Sequence, residues 1–124
     1  MVRLVSKAFG KLLQFELYLQ RSHFNGLYER VKTCSVDTSR SRKPEQADVV
    51  RAVNLACAFY FKKVLCLQRA AVTTCLLRKA GIPAELVIGV QTLPYCAHAW
   101  VEVGGAVVNE KSYTPQMYSV LSRC

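Results

Sequence analysis

Histidine and acidic side chains are scarce in this chain. It has two histidines, His23 and His98, and eight acidic residues against seventeen lysines and arginines. No apolar run reaches the roughly 18 residues that a transmembrane helix needs. The N-terminus also lacks the charged, then apolar, then small-residue layout of a secretory signal. Both absences lead to the expectation of a cytoplasmic protein, in which the six cysteines (Cys34, Cys57, Cys66, Cys75, Cys96 and Cys124) stay free rather than paired. There is no CxxC or HxxxH pair. A zinc site would have to be improvised from Cys96 and His98 with Cys66 as a third ligand, so no metal and no cofactor are expected. No GxxxxGK[ST] is present, and any ATP dependence therefore belongs to a partner. Internal repeats, low-complexity tracts and recognisable nucleic-acid motifs are missing as well, which leaves nucleic acid off the list of partners.

What is present suits one α+β domain spanning residues 1–124. It divides into a basic amphipathic helical part over 1–33, a loop over 34–44 and a core over 45–124. Charge is unevenly placed. Residues 1–69 carry thirteen Lys or Arg against five acids, and residues 70–124 carry four against three. A basic half of this kind serves solubility, an anionic membrane, nucleic acid or an acidic partner.

Taken in order, residues 2 to about 22 read as a helix with Leu4, Val5, Ala8, Leu12, Phe15 and Leu19 on one stripe and Arg3, Lys7 and Lys11 on another. Packing on the domain's own core satisfies that pattern, and so does a helix lying on a membrane surface. His23 falls at the end of this helix and is assigned no chemistry. The turn-forming, cationic run from Cys34 to Pro44 reads as a long loop. Pro44, Glu45 and Asp48 open a second helix that runs to about Lys63. A third begins near Leu65 and Cys66 and stops at Gly81, with Arg78 and Lys79 in its last turn and Pro83 beyond. Apart from Gln68 and Arg69 it is apolar or small from Leu67 to Leu77, so it should be central and buried. Ala84 to Val90 reads as a strand, and residues 95–110 as a hairpin around Gly104-Gly105. The tail from Thr114 to Leu121 reads as a short helix capped by Thr114 with Pro115 behind it. Three antiparallel strands against a buried helix result.

In the first arm of the hairpin, strict alternation places His98, Trp100 and Glu102 on one face and Ala99, Val101 and Val103 on the other. A cysteine at the start of a buried helix and a histidine on a neighbouring strand are the two parts of a thiol nucleophile and its base, and Cys66 and His98 occupy those places. A helix N-terminus favours a thiolate through its partial positive charge. Cys57 and Cys75 each stand nine residues from Cys66. Nine residues turn a helix through about 900°, which lands on the opposite side, so Cys75 should be core. A third group that orients the histidine comes from Asn109 or Glu110. A two-residue turn at Gly104-Gly105 brings Asn109 diagonally beside His98, and a three-residue bulged turn brings Glu110 there instead.

Four segments together resemble the transglutaminase-like leader peptidases of lasso-peptide biosynthesis. They are Cys66-Leu67-Gln68-Arg69-Ala70-Ala71, Leu76 to Ala84 with Leu86 to Val90, Ala97 to Val103, and Val107-Val108-Asn109-Glu110. The resemblance implies a transglutaminase-like, papain-like fold: N-terminal helices and a central Cys-bearing helix packed on a small antiparallel sheet. It implies a cysteine protease that cleaves the leader from a ribosomally made precursor peptide before an ATP-dependent lasso cyclase acts. Cys66 would be nucleophile, His98 base and Glu110 the acidic third member, where the family usually carries Asp; Asn109 is the alternative. It further implies a separate small leader-binding protein as partner. Two other functions use the same residues differently: a transglutaminase-like acyl transferase with an amine as acceptor, and a non-enzymatic basic binding module.

Overall fold

The computed structural model describes residues 2–36, 45–92, 95–109 and 117–124, and of residues 22–26 the backbone only. Three helices, α1 (Val2–Thr33), α2 (Gln46–Phe59) and α3 (Cys66–Lys79), precede an antiparallel sheet. Its strands are β1 (Ala84–Thr92), β2 (Tyr95–Val103), β3 (Ala106–Val107) and β4 (Ser119–Arg123), in the spatial order β3-β2-β1-β4. The α+β class read from the sequence is the class observed, with four strands in place of three.

One apolar cluster joins the layers. Ala8, Leu12 and Phe15 of α1, Val49 and Val53 of α2, and Ala70, Cys75 and Leu77 of α3 pack with Leu86 and Ile88 of β1 and Ala99 and Val101 of β2. Cys75 is fully buried there, as its nine-residue offset from Cys66 requires. Among the described residues, no helix is long and apolar enough to cross a membrane.

The central helix starts and stops where its sequence signals stand. Gly81 takes φ 82°, and the Ile82 N–H bonds back to the Leu77 carbonyl at 2.9 Å, closing the last turn in the way a left-handed glycine permits. Two buried polar residues of α3 have partners outside the helix. Gln68 Nε2 donates to the Leu12 carbonyl at 2.9 Å, and the Arg78 guanidinium donates to the carbonyls of Val31, Cys34 and Ala84 at 2.8, 3.1 and 3.0 Å. Those bonds tie both ends of α3 to α1 and to the start of β1. A buried polar group without such partners costs about 1–3 kcal/mol, so they fix where α3 begins.

Several boundaries differ from the sequence reading. Helix α1 runs eleven residues beyond residue 22, which puts His23 inside it, because Leu27, Tyr28 and Val31 continue the buried stripe past Gly26. Helix α2 stops at Phe59, short of Lys63. Tyr60 leaves helical geometry (φ −68°, ψ 150°), is buried, and points its hydroxyl at the Leu12 carbonyl. Strand β1 extends to Thr92. The tail over 119–123 is a strand and not a helix, since the free edge of β1 offers it a ladder from Val87 to Val90 and a bond pair between Leu86 and Cys124. Thr114 and Pro115, like most of the 34–44 loop, lie outside the described residues.

Candidate active site

Cys66 is the first residue of α3. Leu65 precedes it in extended geometry (φ −74°, ψ 155°) and supplies no capping side chain, so the half-buried thiol sits at an uncapped helix N-terminus. The approach to it is pinned from both sides. Lys62 pairs with Glu16 of α1 at 2.7 Å upstream, and Gln68 holds α1 downstream.

His98 is on β2, opposite Gly89 of β1. Alternation turns its ring to the face of Trp100 and Glu102, while Ala99, Val101 and Val103 turn to the core, as the sequence requires. The imidazole stacks on Tyr118 (centroids 5.4 Å apart, planes at 26°) and on Trp100 (6.2 Å, 30°). Trp100 is fully buried and is held in turn. Its Nε1 donates to Glu102 Oε2 at 2.8 Å, and Arg123 Nη1 of β4 donates to Glu102 Oε1 at 2.8 Å. Burial raises the Glu102 carboxyl, but the Arg123 and Trp100 donors prevail and hold it below the ordinary carboxylate value.

Cys66 and His98 border the same cleft, of about 260 Å³, whose other walls are Leu65, Leu67, Ile88, Ala97 and Ala99. The two alanines flanking the histidine leave the space between α3 and β2 open.

A family model described as the transglutaminase-like superfamily matches residues 10–123. The chain belongs to the transglutaminase-like superfamily. It is similar to the microcin J25-processing protein McjB of Escherichia coli, 41% identical over 71 residues, a stretch that is 56% of this chain and 33% of that protein. The similarity thus spans about a third of the length of this curated relative. No solved structure matches the chain.

In this transglutaminase-like chain the turn between β2 and β3 is the two-residue form. Gly104 (φ 60°) and Gly105 (φ 83°) make it, and Val103 pairs with Ala106. The bulged turn required to bring Glu110 into register is absent. Counting the register onwards nevertheless fails, because the regular ladder stops at β3. Val108 N–H bonds to the Val101 carbonyl at 3.0 Å, but Val101 N–H is taken by the side-chain Oδ1 of Asn109 at 3.0 Å. Asn109 therefore spends its acceptor on the backbone of β2, and its Nδ2 is buried with no hydrogen-bond partner among the described residues. Glu110 lies outside the described residues.

Of the other thiols, Cys96 is exposed, with Sγ 3.7 Å from the Ala97 carbonyl, and no group of three His, Cys, Asp or Glu gathers as a metal site among the described residues. Cys34 is held down to about 6 by its hydrogen bond with Cys75, against a raising effect of burial and with help from Arg30 and Arg78. That thiol lines a different cleft, with Lys32, Arg78, Glu85 and Cys124.

Tyr118, Gly89 and the Glu102–Arg123 pair were not singled out from the sequence. Gly89 carried a usable signal, since a glycine inside a strand marks a close approach. A Cβ there would lie 2.7 Å from Trp100 Cη2 and 2.8 Å from Tyr118 Cβ.

Proposed function

We propose that this transglutaminase-like chain is a cysteine peptidase that removes the leader from a lasso precursor peptide, with Cys66 as nucleophile, His98 as base and Glu110 orienting the base. The observation that carries the reading is the cleft that Cys66 and His98 share at the start of α3. The similarity to a protein named for processing microcin J25 supports the choice of peptide maturation.

In the proposed reaction His98 takes the Cys66 proton and the thiolate attacks the carbonyl carbon before the scissile bond. Backbone N–H groups at the uncapped start of α3 face the oxyanion. The imidazolium then protonates the leaving amine, and a water, deprotonated by His98, releases the leader from the thioester. An orienting group must accept the remaining imidazole N–H. Asn109 has its oxygen committed to Val101 and only donors left over, which favours Glu110.

Leader recognition is assigned to a separate small leader-binding protein, and ring closure to a separate cyclase. The basic face that includes the exposed Arg3 and Lys7 of α1 suits an acidic leader or partner. Mass spectrometry of a precursor peptide incubated with the chain, with and without the leader-binding protein, tests the proposal. Cleavage at the leader junction, accelerated by the partner at low precursor concentration, is expected. Incorporation of an added amine without hydrolysis would instead make the chain an acyl transferase.

A further inference from the structure

Charged side chains stand in the walls of other clefts, such as Lys32, Arg78 and Glu85 in one and Arg51 in another. Among the described residues, the cleft beside Cys66 has none. Apart from the thiol and His98, every wall residue is aliphatic, and Leu65 at its mouth is exposed, with 60% of its surface open to solvent. Its volume of about 260 Å³ falls just short of the roughly 300–1,000 Å³ of pockets that enclose whole small molecules. It is ample for one large side chain. An apolar recess without charged groups offers water few hydrogen bonds and offers a carboxylate or ammonium none that replaces its hydration.

We infer that this cleft is a side-chain subsite, and that the peptide acted on presents a large apolar residue, of the leucine, methionine or phenylalanine class, on the acyl side of the bond that is cut. The inference rests on the reading of Cys66 as nucleophile. Because the thiol is itself part of the wall, the residue whose carbonyl reaches sulfur has its side chain closest to Leu67, Ile88 and Ala99. Leu65 is then covered by the bound peptide, which removes an exposed apolar surface from water. Ala97 and Ala99 set the depth, as each methyl occupies a place where a larger residue would fill the recess. An apolar pocket distinguishes residues differing by a single methylene by about 10–200-fold, so leucine against glycine should exceed tenfold.

Peptidyl chloromethyl ketones that are identical except for the terminal residue test this without knowledge of the natural substrate. The Cys66 sulfur forms a bond to the methylene carbon, the carbon–chlorine bond breaks, chloride leaves and the thiol proton passes through His98 to solvent. Labelling is read at each of the six cysteines by peptide mapping of the full chain. The expected result is that Cys66 reacts with the leucine ketone at least tenfold faster than with the glycine or aspartate ketone, while exposed Cys96 shows no such preference. In Ala97→Leu, with its circular dichroism unchanged, the leucine-to-glycine ratio at Cys66 should fall towards one. Cys66-selective labelling at equal rates for all three ketones overturns the subsite and leaves the nucleophile standing. Labelling of Cys66 no faster than of Cys96 with every ketone overturns the nucleophile reading, and the subsite with it.

Discussion

Asn109 and Glu110 are neighbours with opposite consequences for His98. A group that steadies a catalytic imidazole has to accept a hydrogen bond, and a carboxylate also stabilises the imidazolium by its charge. Asn109 Oδ1 serves the backbone of β2. Glu110→Gln is therefore expected to slow leader cleavage far more than Asn109→Ala does, and the Asn109 change should appear as lost stability. The two rates, measured beside denaturant midpoints, check this, and the reverse order would exchange the roles. Glu102 acts at one remove. Its carboxyl is buried, bridges Trp100 to Arg123, and is held below its ordinary value near 4.5. A carboxyl whose folded value is depressed contributes stability above its unfolded value and loses it as pH falls through the folded one. Arg123→Met should thus cost about 1–3 kcal/mol at neutral pH, the range for a charged hydrogen-bond partner left alone. The deficit against wild type should shrink as pH falls through the depressed folded-state value, as protonation removes the charge that Arg123 had paired. Urea denaturation across pH is the measurement.

Elements were legible in the sequence in proportion to how local their determinants are. Helix α3 was clear because Cys66, the apolar run, Arg78, Gly81 and Pro83 are all signals within one segment, and the position of the Gly104-Gly105 turn was clear for the same reason, though its two-residue form was not. Helix α1 was read too short. Gly26 lowers helix propensity locally, while the burial of Leu27 and Val31 that outweighs it depends on the shared tertiary core. Strand β4 was read as a helix because Thr114-Pro115 looks like a helix start, whereas the deciding partner, the free edge of β1, lies about thirty residues away. The same non-local logic hid Tyr118, which reaches His98 only because β4 folds back. At the sheet, Gly89 is the position that lets Trp100 and Tyr118 lie over β1. Gly89→Ala puts a methyl within 2.9 Å of the Trp100 ring and of Tyr118 Cβ, where neither has room. Overpacking of this kind costs about 1–3 kcal/mol, and a lowered thermal midpoint together with a changed near-ultraviolet signal from Trp100 should report it. Unchanged stability would mean that the aromatic cluster shifts freely.

At the scale of the whole molecule, three helices hold one thiol beside the inner strands β1 and β2 of a four-stranded sheet, and His98 of β2 lines the same cleft. The placement of Cys66 at the start of α3 and of His98 on a neighbouring strand was legible from residue type and element order alone. The Tyr118 stacking and the Arg123 partner of Glu102 were not, because they come from the tail that pairs with β1 as β4. The six cysteines allow a direct comparison, since Cys75 lies on the same helix as Cys66 and is wholly buried. The most direct measurement is the rate of leader cleavage from the precursor peptide, followed by mass spectrometry, for wild type, Cys66→Ala and Cys75→Ala in the presence of the leader-binding protein. Removing a nucleophile costs several orders of magnitude in rate. Cys66→Ala, folded by circular dichroism, should show no detectable cleavage, while Cys75→Ala cleaves at the wild-type rate with some loss of stability. Cleavage by Cys66→Ala at close to the wild-type rate would contradict the assignment of this thiol as the reacting group.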